Sequence, residues 1–272
     1  MRNLRSIIPP KLLNIARKAV GIDQRSRALT GIDTSRGRGL EIGALNRPLL
    51  PRSPGRVFFA DHCSTERLKE KYADNPDVPQ DDIYPVDFDL SVEPLSQTNK
   101  FGDYDYVVAS HVIEHVPDLI GWLRDIERIL TPGGILALVI PDKRYCFDIF
   151  RRETSMWMIE EAIGRTRPAI ETVIDHFVNN VEANTRRLWN DYESRHEFRP
   201  AASPLVCSDL IRRHEAGEYI DAHCWVFTPS SFTTLIEAAI GKFSLGFELS
   251  FFEPTSINQL EFYVQMRRRR VR

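Results

Sequence analysis

Histidine is the side chain best suited to move protons near neutral pH, and the chain contains seven of them. Four of them are candidates for a catalytic base: His111, His115, His176 and His223. His223, in the stretch DAHCWVFTP, lies just before the last predicted helix and is the first candidate for a base or for a group that orients a substrate. His176 falls well off the apolar stripe of its helix, which leaves a solvent-facing side chain as its commoner fate.

Arg144 and Tyr145 follow the fifth predicted strand in the stretch PDKRY. A guanidinium and a phenol at that place can position an anionic or hydroxyl-rich substrate. A surface salt bridge and a buried ring are the alternatives for the same two residues.

His111, Glu114 and His115 are spaced to share one helical turn, so together with His176 or His223 they can hold a divalent metal. A purely structural turn is the commoner role of such a pair and is preferred here. The string HVIEH also matches the HxxEH pattern of a zinc protease class, but that pattern needs a helix of several turns. Here it follows a strand directly and meets Pro117, which argues against a protease.

Short apolar runs that alternate with helical stretches predict parallel strands joined by crossovers. The predicted strands span 39–43, 57–60, 83–87, 104–109 and 135–140, followed by an antiparallel edge pair at 244–252 and 260–266. The clearest helix begins after Asp118 as N-cap and ends at Pro132-Gly133-Gly134. The fold class is therefore α/β, with a doubly wound, mostly parallel sheet.

In such a sheet, ligands bind outside the carboxyl ends of the strands. Gly43 and Ala44 end the first predicted strand and allow close approach of a ligand to the backbone. Asp61, followed by His62, ends the second, where a carboxylate can accept hydrogen bonds from ribose hydroxyls or cap a helix. Because Gly43 has no partners at GxGxxG spacing, a dehydrogenase or epimerase is not indicated.

The whole chain divides into an N-terminal basic, helical extension at 1–37 and one domain at 38–272. This domain contains a helical insertion or lid at about 145–223. A helix begins near Pro168 within this insertion, and another spans about 230–240. The charges nearly balance, with 36 basic and 38 acidic residues, so no nucleic-acid partner is expected.

Four scattered cysteines without a CxxC pair indicate reduced thiols in a cytoplasmic protein. The basic residues of the two termini, including Arg267 to Arg270, can make weak contact with an anionic membrane surface, although two solvated termini are the simpler interpretation.

The segments SHVIEHVPD (110–118) and LRDIERILTPGGILALVIPD (123–142) resemble class I S-adenosylmethionine-dependent methyltransferases, and the resemblance extends over about 38–140. It implies that Glu41 and Gly43 face the methionine part of the cofactor, with Ala44 and Asn46 in the same turn. It further assigns Asp61 and His62 to the ribose, Asp87 and Phe88 to the adenine, and Ser110 and His111 to the far side of the cofactor.

The family's turn usually carries further glycines, where this chain has Ala44, Leu45 and Asn46. Asn46 tolerates left-handed geometry and is expected to preserve the turn.

The whole-chain pattern, with EIGALNRP, ADH, PDKRY and DAHCWVFTP, is similar to methyltransferases of bacterial surface-polysaccharide and glycan clusters. The resemblance therefore implies an S-adenosylmethionine-dependent enzyme that methylates a hydroxyl of a sugar or glycan precursor with a histidine base. Another small-molecule substrate, or an inactive methyltransferase-like binding or scaffold subunit, remains the alternative. The oligomeric state is not predicted.

Overall fold

The structure, a computed structural model, describes residues 24–199 and 206–270. Its strands are β1 (Gly39–Ile42), β2 (Val57–Asp61), β3 (Phe88–Asp89), β4 (Tyr104–Ser110), β5 (Leu130–Pro141), β6 (Phe247–Glu253) and β7 (Glu261–Arg268). They form one seven-stranded sheet in the order β3-β2-β1-β4-β5-β7-β6. The first five strands are parallel, and β7 lies antiparallel between β5 and β6. The predicted doubly wound sheet with an antiparallel edge is confirmed.

The third strand differs from its predicted position at 83–87, because only Phe88–Asp89 pairs regularly with β2. Pro85 lies inside the predicted strand and has no amide hydrogen for a strand ladder. The chain before β3 is held instead by single contacts, including a hydrogen bond from the Asp87 amide to the Phe59 carbonyl at 2.8 Å. The strand is therefore shorter than predicted and begins five residues later.

The helices are α1 (Thr65–Lys71), α2 (Leu119–Ile129), α3 (Met156–Glu161), α4 (Ile170–Asn179), α5 (Thr185–Asn190), α6 (Val206–Glu215) and α7 (Pro229–Lys242). Asp118 caps α2 as predicted, since its side chain accepts a hydrogen bond from the Gly121 amide at 2.8 Å. The helix ends at Ile129, and β5 begins at the next residue rather than at the predicted Ile135.

The two faces of the sheet bury two apolar cores. On one face Leu40, Val107 and Leu138 pack with Leu123 of α2 and Phe232 of α7. Burial of each large apolar side chain contributes about 1.5–3 kcal/mol, so this core fixes both helices against the strands. On the other face, Phe59, Tyr106, Val108 and Val139 pack with Leu49 and Leu50 of the loop after β1.

Between β5 and α7 the described residues form helices and 3-10 turns without a named strand, in agreement with the predicted helical character. Val173 of α4 packs there against Leu210 of α6. The proposed boundaries of this insertion remain a prediction, and most of the N-terminal extension lies outside the described residues. In 24–199 and 206–270, no helix combines the length and apolar character of a membrane span.

Candidate functional site

The turn after β1 is tight and left-handed. Gly43 has φ 73°, and a Cβ added there would lie 2.6 Å from a methyl carbon of Val112, so the position requires glycine. The second left-handed residue of the turn is Leu45, with φ 43°, rather than the expected Asn46. Asn46 instead donates its side-chain amide to the carbonyl of Asp77 at 3.2 Å. Buried Ala44 packs against the core.

Buried Glu41 stabilises the loop after β1 through hydrogen bonds to its backbone. Its two carboxylate oxygens accept hydrogen bonds from the amides of Leu49 and Leu50, both at 2.7 Å. Burial raises the pKa of Glu41 to about 7, although these hydrogen bonds oppose the increase. The carboxylate is thus committed to the loop, and its expected contact with the methionine part of a cofactor remains a prediction.

Asp61 ends β2 with a largely buried carboxylate. Its Oδ1 accepts a hydrogen bond from the His62 amide at 2.7 Å and lies 2.6 Å from Nδ1 of the same histidine. Asp87 lies just before β3, and its carboxylate binds Arg52 at 2.7 Å and the Phe59 amide at 2.9 Å. Phe88 is buried in the core. The adenine role implied for Asp87 and Phe88 remains a prediction, and both side chains already have protein partners.

A cavity of about 460 Å³ opens beyond the carboxyl ends of β4 and β5. Its lining includes four side chains considered for chemistry, His111, Glu114, His115 and His223, together with Cys146 and Phe147. Ser110 ends β4 immediately before this group. The topology thus brings together residues that are more than a hundred positions apart in the chain.

His111 has a left-handed backbone with φ 53°. Its Nδ1 is 3.4 Å from Glu114 and its Nε2 is 3.6 Å from Glu261. Burial alone would lower the pKa of His111, but the two carboxylates outweigh it and raise the pKa to about 10. The imidazole is therefore charged near neutral pH.

His223 and Asp148 form a buried pair, with Nδ1 and Oδ2 2.6 Å apart. Burial alone would raise the pKa of Asp148, but the contacts with His223 and Arg151 lower it to about 2. Arg151 is itself buried and donates to Asp148 at 2.8 Å and to the His223 carbonyl at 2.8 Å. The ionised carboxylate fixes the orientation of the imidazole, which leaves Nε2 as the nitrogen for a substrate.

A second histidine and carboxylate pair lies against the first. His115 Nδ1 is 2.9 Å from Asp221, and the rings of His115 and His223 meet at right angles with centroids 4.6 Å apart. Burial lowers the pKa of His115, but the hydrogen bond to Asp221 and the charge of Glu114 have the larger combined effect and raise it. Asp221 also lies 3.9 Å from Lys71 of α1.

His176 of α4 lies beside His223, on one of the helices between β5 and α7. Its Nδ1 accepts a hydrogen bond from the His223 amide at 3.3 Å, and its ring contacts Phe147. Burial and the charges of His223 and Arg151 lower the pKa of His176 to about 4. The imidazole is therefore neutral and half-buried beside His223 rather than solvent-facing.

Arg144 and Tyr145 are both occupied by protein contacts. Arg144 forms a bidentate pair with buried Asp142, with its shortest contact at 2.6 Å. The Tyr145 ring stacks on Trp189 with centroids 4.0 Å apart and an interplanar angle of 9°. Both contacts are structural, although the partner of Arg144 is buried and the Tyr145 ring is half-buried, and a contact of either residue with substrate stays a prediction.

Three side chains lie close enough together to hold a metal ion, although they differ from the predicted set of ligands. Ligand atoms of Glu114, His115 and His223 lie within 4.8 Å of one another, whereas His111 turns between Glu114 and Glu261. The HVIEH string forms a single 3-10 turn at Ile113–His115, not the extended helix that a zinc protease requires. Metal binding itself remains untested.

Two important residues carried no signal in the sequence. Asp148 and Arg151 follow the 3-10 turn at Lys143–Tyr145 and do not stand at a strand end. Their importance arises from contacts with His223, 75 and 72 positions away. Only the acidic and basic composition of DKRYCFDIFRR after β5 could have drawn attention to them.

Sequence comparison identifies the family. A family model described as a methyltransferase domain matches residues 16–239, which is most of the chain. The chain belongs to this methyltransferase family. The expected class I S-adenosylmethionine-dependent methyltransferase is thereby confirmed at the level of family and fold. The association with glycan clusters receives no such support.

The relatives of this methyltransferase include fungal megasynthases. The polyketide synthase-nonribosomal peptide synthetase TwmB of Talaromyces wortmannii is 32% identical over 137 residues, 48% of this chain and 5% of that protein. The highly reducing polyketide synthase otaA of Aspergillus carbonarius is 24% identical over 168 residues, 57% of this chain and 6% of that protein. The match thus spans about one-twentieth of these relatives' length. Among solved structures, the DhpI–SAH complex covers 95% of this chain and 87% of its own at 16% identity and a TM-score of 0.43.

Proposed function

We propose that this methyltransferase moves a methyl group from S-adenosylmethionine to a hydroxyl oxygen of a sugar or glycan precursor, with His223 as the base. The observation that carries the proposal is the buried pair of His223 and Asp148, 2.6 Å apart, whose imidazole lines the cavity. A histidine held by a buried carboxylate is an effective general base, because the carboxylate orients the ring and stabilises its protonated form.

The sheet order supports a cofactor site beside this cavity. The chain moves outward from β1 to β2 and β3 on one side and from β4 to β5 on the other, so β1 and β4 flank the topological switch point. Ligands of open α/β sheets bind at such a point, beyond the carboxyl ends of the strands. Gly43 follows β1, Ser110 ends β4 and Asp61 ends β2 at this edge.

These residues fit the chemistry of a nucleoside cofactor. The Gly43 turn presents backbone without a side chain, and the Asp61 carboxylate is a suitable partner for ribose hydroxyls. When bound, S-adenosylmethionine supplies a methyl group activated by its positive sulfur. The protein must then align the substrate oxygen with that carbon and remove the hydroxyl proton.

His223 performs the second task in this proposal. Nε2 of His223 accepts the proton of the substrate hydroxyl, and the cofactor that Gly43 and Asp61 would help to hold would supply the methyl group to that oxygen. Alignment can contribute about 7–11 kcal/mol to such a methyl transfer, and a base adds roughly 10²–10⁴ in rate. His176, which is neutral, accepts a hydrogen bond from the His223 amide, although it is not among the residues that line the cavity.

The megasynthase relatives support a second candidate, a polyketide intermediate as the methyl acceptor. The same histidine could remove a proton from a hydroxyl or from an acidic carbon of such a molecule. Product analysis after incubation with methyl-labelled S-adenosylmethionine distinguishes the candidates, because O-methyl and C-methyl groups have different carbon chemical shifts. A scaffold subunit without catalysis is the non-enzyme alternative.

Calorimetric titration with S-adenosylmethionine and S-adenosylhomocysteine tests the cofactor site. We expect saturable binding of both by the intact chain and at least about tenfold weaker binding by Asp61→Ala, in keeping with the loss of charge-assisted hydrogen bonds. Asp89→Ala is the matched control, since Asp89 ends the neighbouring strand and bonds mainly to Ser91. No binding by the folded wild type would contradict the proposed enzyme and favour the scaffold alternative.

A further inference from the structure

Glu114 carries a buried carboxylate that lacks a hydrogen bond in the described part of the chain. Its nearest charged neighbour there is His111, whose Nδ1 lies 3.4 Å from Oε1. The loop around it is firmly held, because the amides of Cys224 and Trp225 both donate to the Glu114 backbone carbonyl. Burial of an ionised carboxylate without hydrogen bonds is costly, so this side chain is suited to accept a hydrogen bond from a ligand that enters the cavity.

The two imidazoles beside Glu114 are already oriented. His115 and His223 each use Nδ1 to contact a carboxylate, Asp221 and Asp148 respectively. The nitrogen left for a ligand is Nε2 in both rings. Ligand atoms of Glu114, His115 and His223 lie within 4.8 Å of one another, and all three residues line the cavity.

Groups this close can bind two neighbouring oxygen atoms, because each hydrogen bond spans about 2.6–3.2 Å. A carboxylate only accepts hydrogen bonds, whereas a protonated imidazole only donates them. One hydroxyl that gives its proton to His223 leaves Glu114 without a donor. A second hydroxyl next to the first satisfies it.

We propose that the cavity selects methyl acceptors with hydroxyls on two adjacent carbons, one facing His223 for methylation and its neighbour donating to Glu114. His115, when protonated, donates Nδ1–H to Asp221 and Nε2–H to whichever of the two hydroxyl oxygens carries more negative charge. This inference rests on the proposed function, which requires only one hydroxyl, and adds the class of molecule that the site accepts. It assigns Glu114 a role in substrate selection rather than in proton removal.

The sign of the selectivity follows from Glu114. A molecule with a single hydroxyl would occupy the cavity and leave the Glu114 carboxylate without a hydrogen bond. Enzyme sites that hydrogen-bond a substrate hydroxyl discriminate strongly against analogues that lack it. The ratio of kcat/KM values reaches roughly 10⁴–10⁵ in natural enzymes. For a small probe that fills only part of a 460 Å³ cavity, we expect at least about tenfold weaker binding without the second hydroxyl.

The test uses cis- and trans-cyclohexane-1,2-diol against cyclohexanol, with the whole chain saturated with S-adenosylhomocysteine. Ligand-observed NMR competition gives the affinities for wild type, Glu114→Gln and Glu261→Gln. Glu261 is the matched control, because it is a buried carboxylate beside His111 but already accepts a hydrogen bond from Tyr263 at 3.0 Å and stands outside the three-residue cluster. At least one diol should bind about tenfold more tightly than cyclohexanol to wild type and Glu261→Gln, and this preference should disappear in Glu114→Gln.

Several results would overturn the inference. Equal affinities, no binding of any of the three alcohols, or a preference that survives in Glu114→Gln would each do so. Stoichiometric Mn²⁺ binding that Glu114→Gln abolishes would assign the cluster to a metal instead, and weaker S-adenosylhomocysteine binding by Glu114→Gln would assign Glu114 to the cofactor. Because cofactor titration precedes the alcohol assay, failure of the proposed function is seen separately as absent cofactor binding.

Discussion

At the scale of single residues, the pair of His223 and Asp148 determines how the site can act. Replacement of His223 by Gln keeps the size of the polar side chain and removes the group that accepts the hydroxyl proton. We expect kcat to fall by roughly 10²–10⁴, the usual contribution of a general base, while calorimetric affinity for S-adenosylhomocysteine stays unchanged. A variant with normal kcat would show that His223 is not the base.

Asp148 acts through His223 and is therefore a positioning residue. In Asp148→Asn the imidazole loses its ionised partner, so we expect a lower kcat with little change in KM for the methyl acceptor. Asp175→Asn is the matched control: Asp175 also pairs with Arg151, at 2.7 Å, but it does not contact His223. If both variants changed kcat equally, the effect would come from Arg151 rather than from the orientation of His223.

The sequence could indicate His223 because its place before the last helix is a local feature. It could not indicate Asp148, because the contact between them depends on how the helical segment folds back over β5. Similarly, the sequence did not indicate that Glu41 binds amides eight and nine positions later in the chain, and its place at the cofactor stays a prediction. Residue types and strand ends can be predicted from a sequence. The direction in which a side chain points cannot, because tertiary contacts determine it.

At the scale of elements, the loop after β1 depends on Glu41, and this dependence should vary with pH. The pKa of Glu41 is raised from 4.5 to about 7 in the folded chain. A group with a raised folded pKa contributes stability that is present below its unfolded pKa and is lost as pH rises through its folded pKa. The window of change is therefore about pH 4.5–7, with stability decreasing towards the higher pH.

Urea unfolding of wild type and Glu41→Gln across this window measures the effect. We expect the free energy of unfolding of wild type, relative to the variant, to decrease by up to about 3 kcal/mol from pH 4.5 to pH 7. Glu248→Gln is the control, since Glu248 lies on the exposed side of the edge strand β6. A difference that is constant with pH would mean that folding does not raise the pKa of Glu41.

The sequence predicted which strands and helices exist better than it predicted the residues at which they begin and end. The apolar runs of β1, β2, β4 and β5 are buried on both faces and therefore give a clear signal in the sequence. The third strand was misplaced because Pro85 breaks a run that otherwise has strand composition. The helices between β5 and α7 were predicted from the spacing of their apolar residues. Their packing over the cavity could not be predicted, because no periodic pattern in the sequence encodes it.

At the scale of the whole molecule, Arg151 connects the loop after β5 with α4 and with the segment before α7. It binds Asp148 after β5, Asp175 of α4 and the carbonyl of His223 before α7. Only 2% of its side chain is exposed, so all three contacts are shielded from water to different degrees. The charge of one guanidinium thus connects three segments, around positions 148, 175 and 223, that are separated by up to 75 positions.

Removal of this guanidinium should destabilise the molecule much more than removal of a surface charge. In Arg151→Leu the Asp148 carboxylate remains buried without its main cation, a loss that typically costs about 3–5 kcal/mol. Arg165→Leu is the control, because Arg165 pairs with exposed Glu161 one helical turn earlier and should change stability by no more than about 0.5 kcal/mol. Thermal and urea unfolding measure both. If Arg151→Leu unfolds like Arg165→Leu, the helical segment is held by its apolar contacts, and the ion pairs serve only to orient His223.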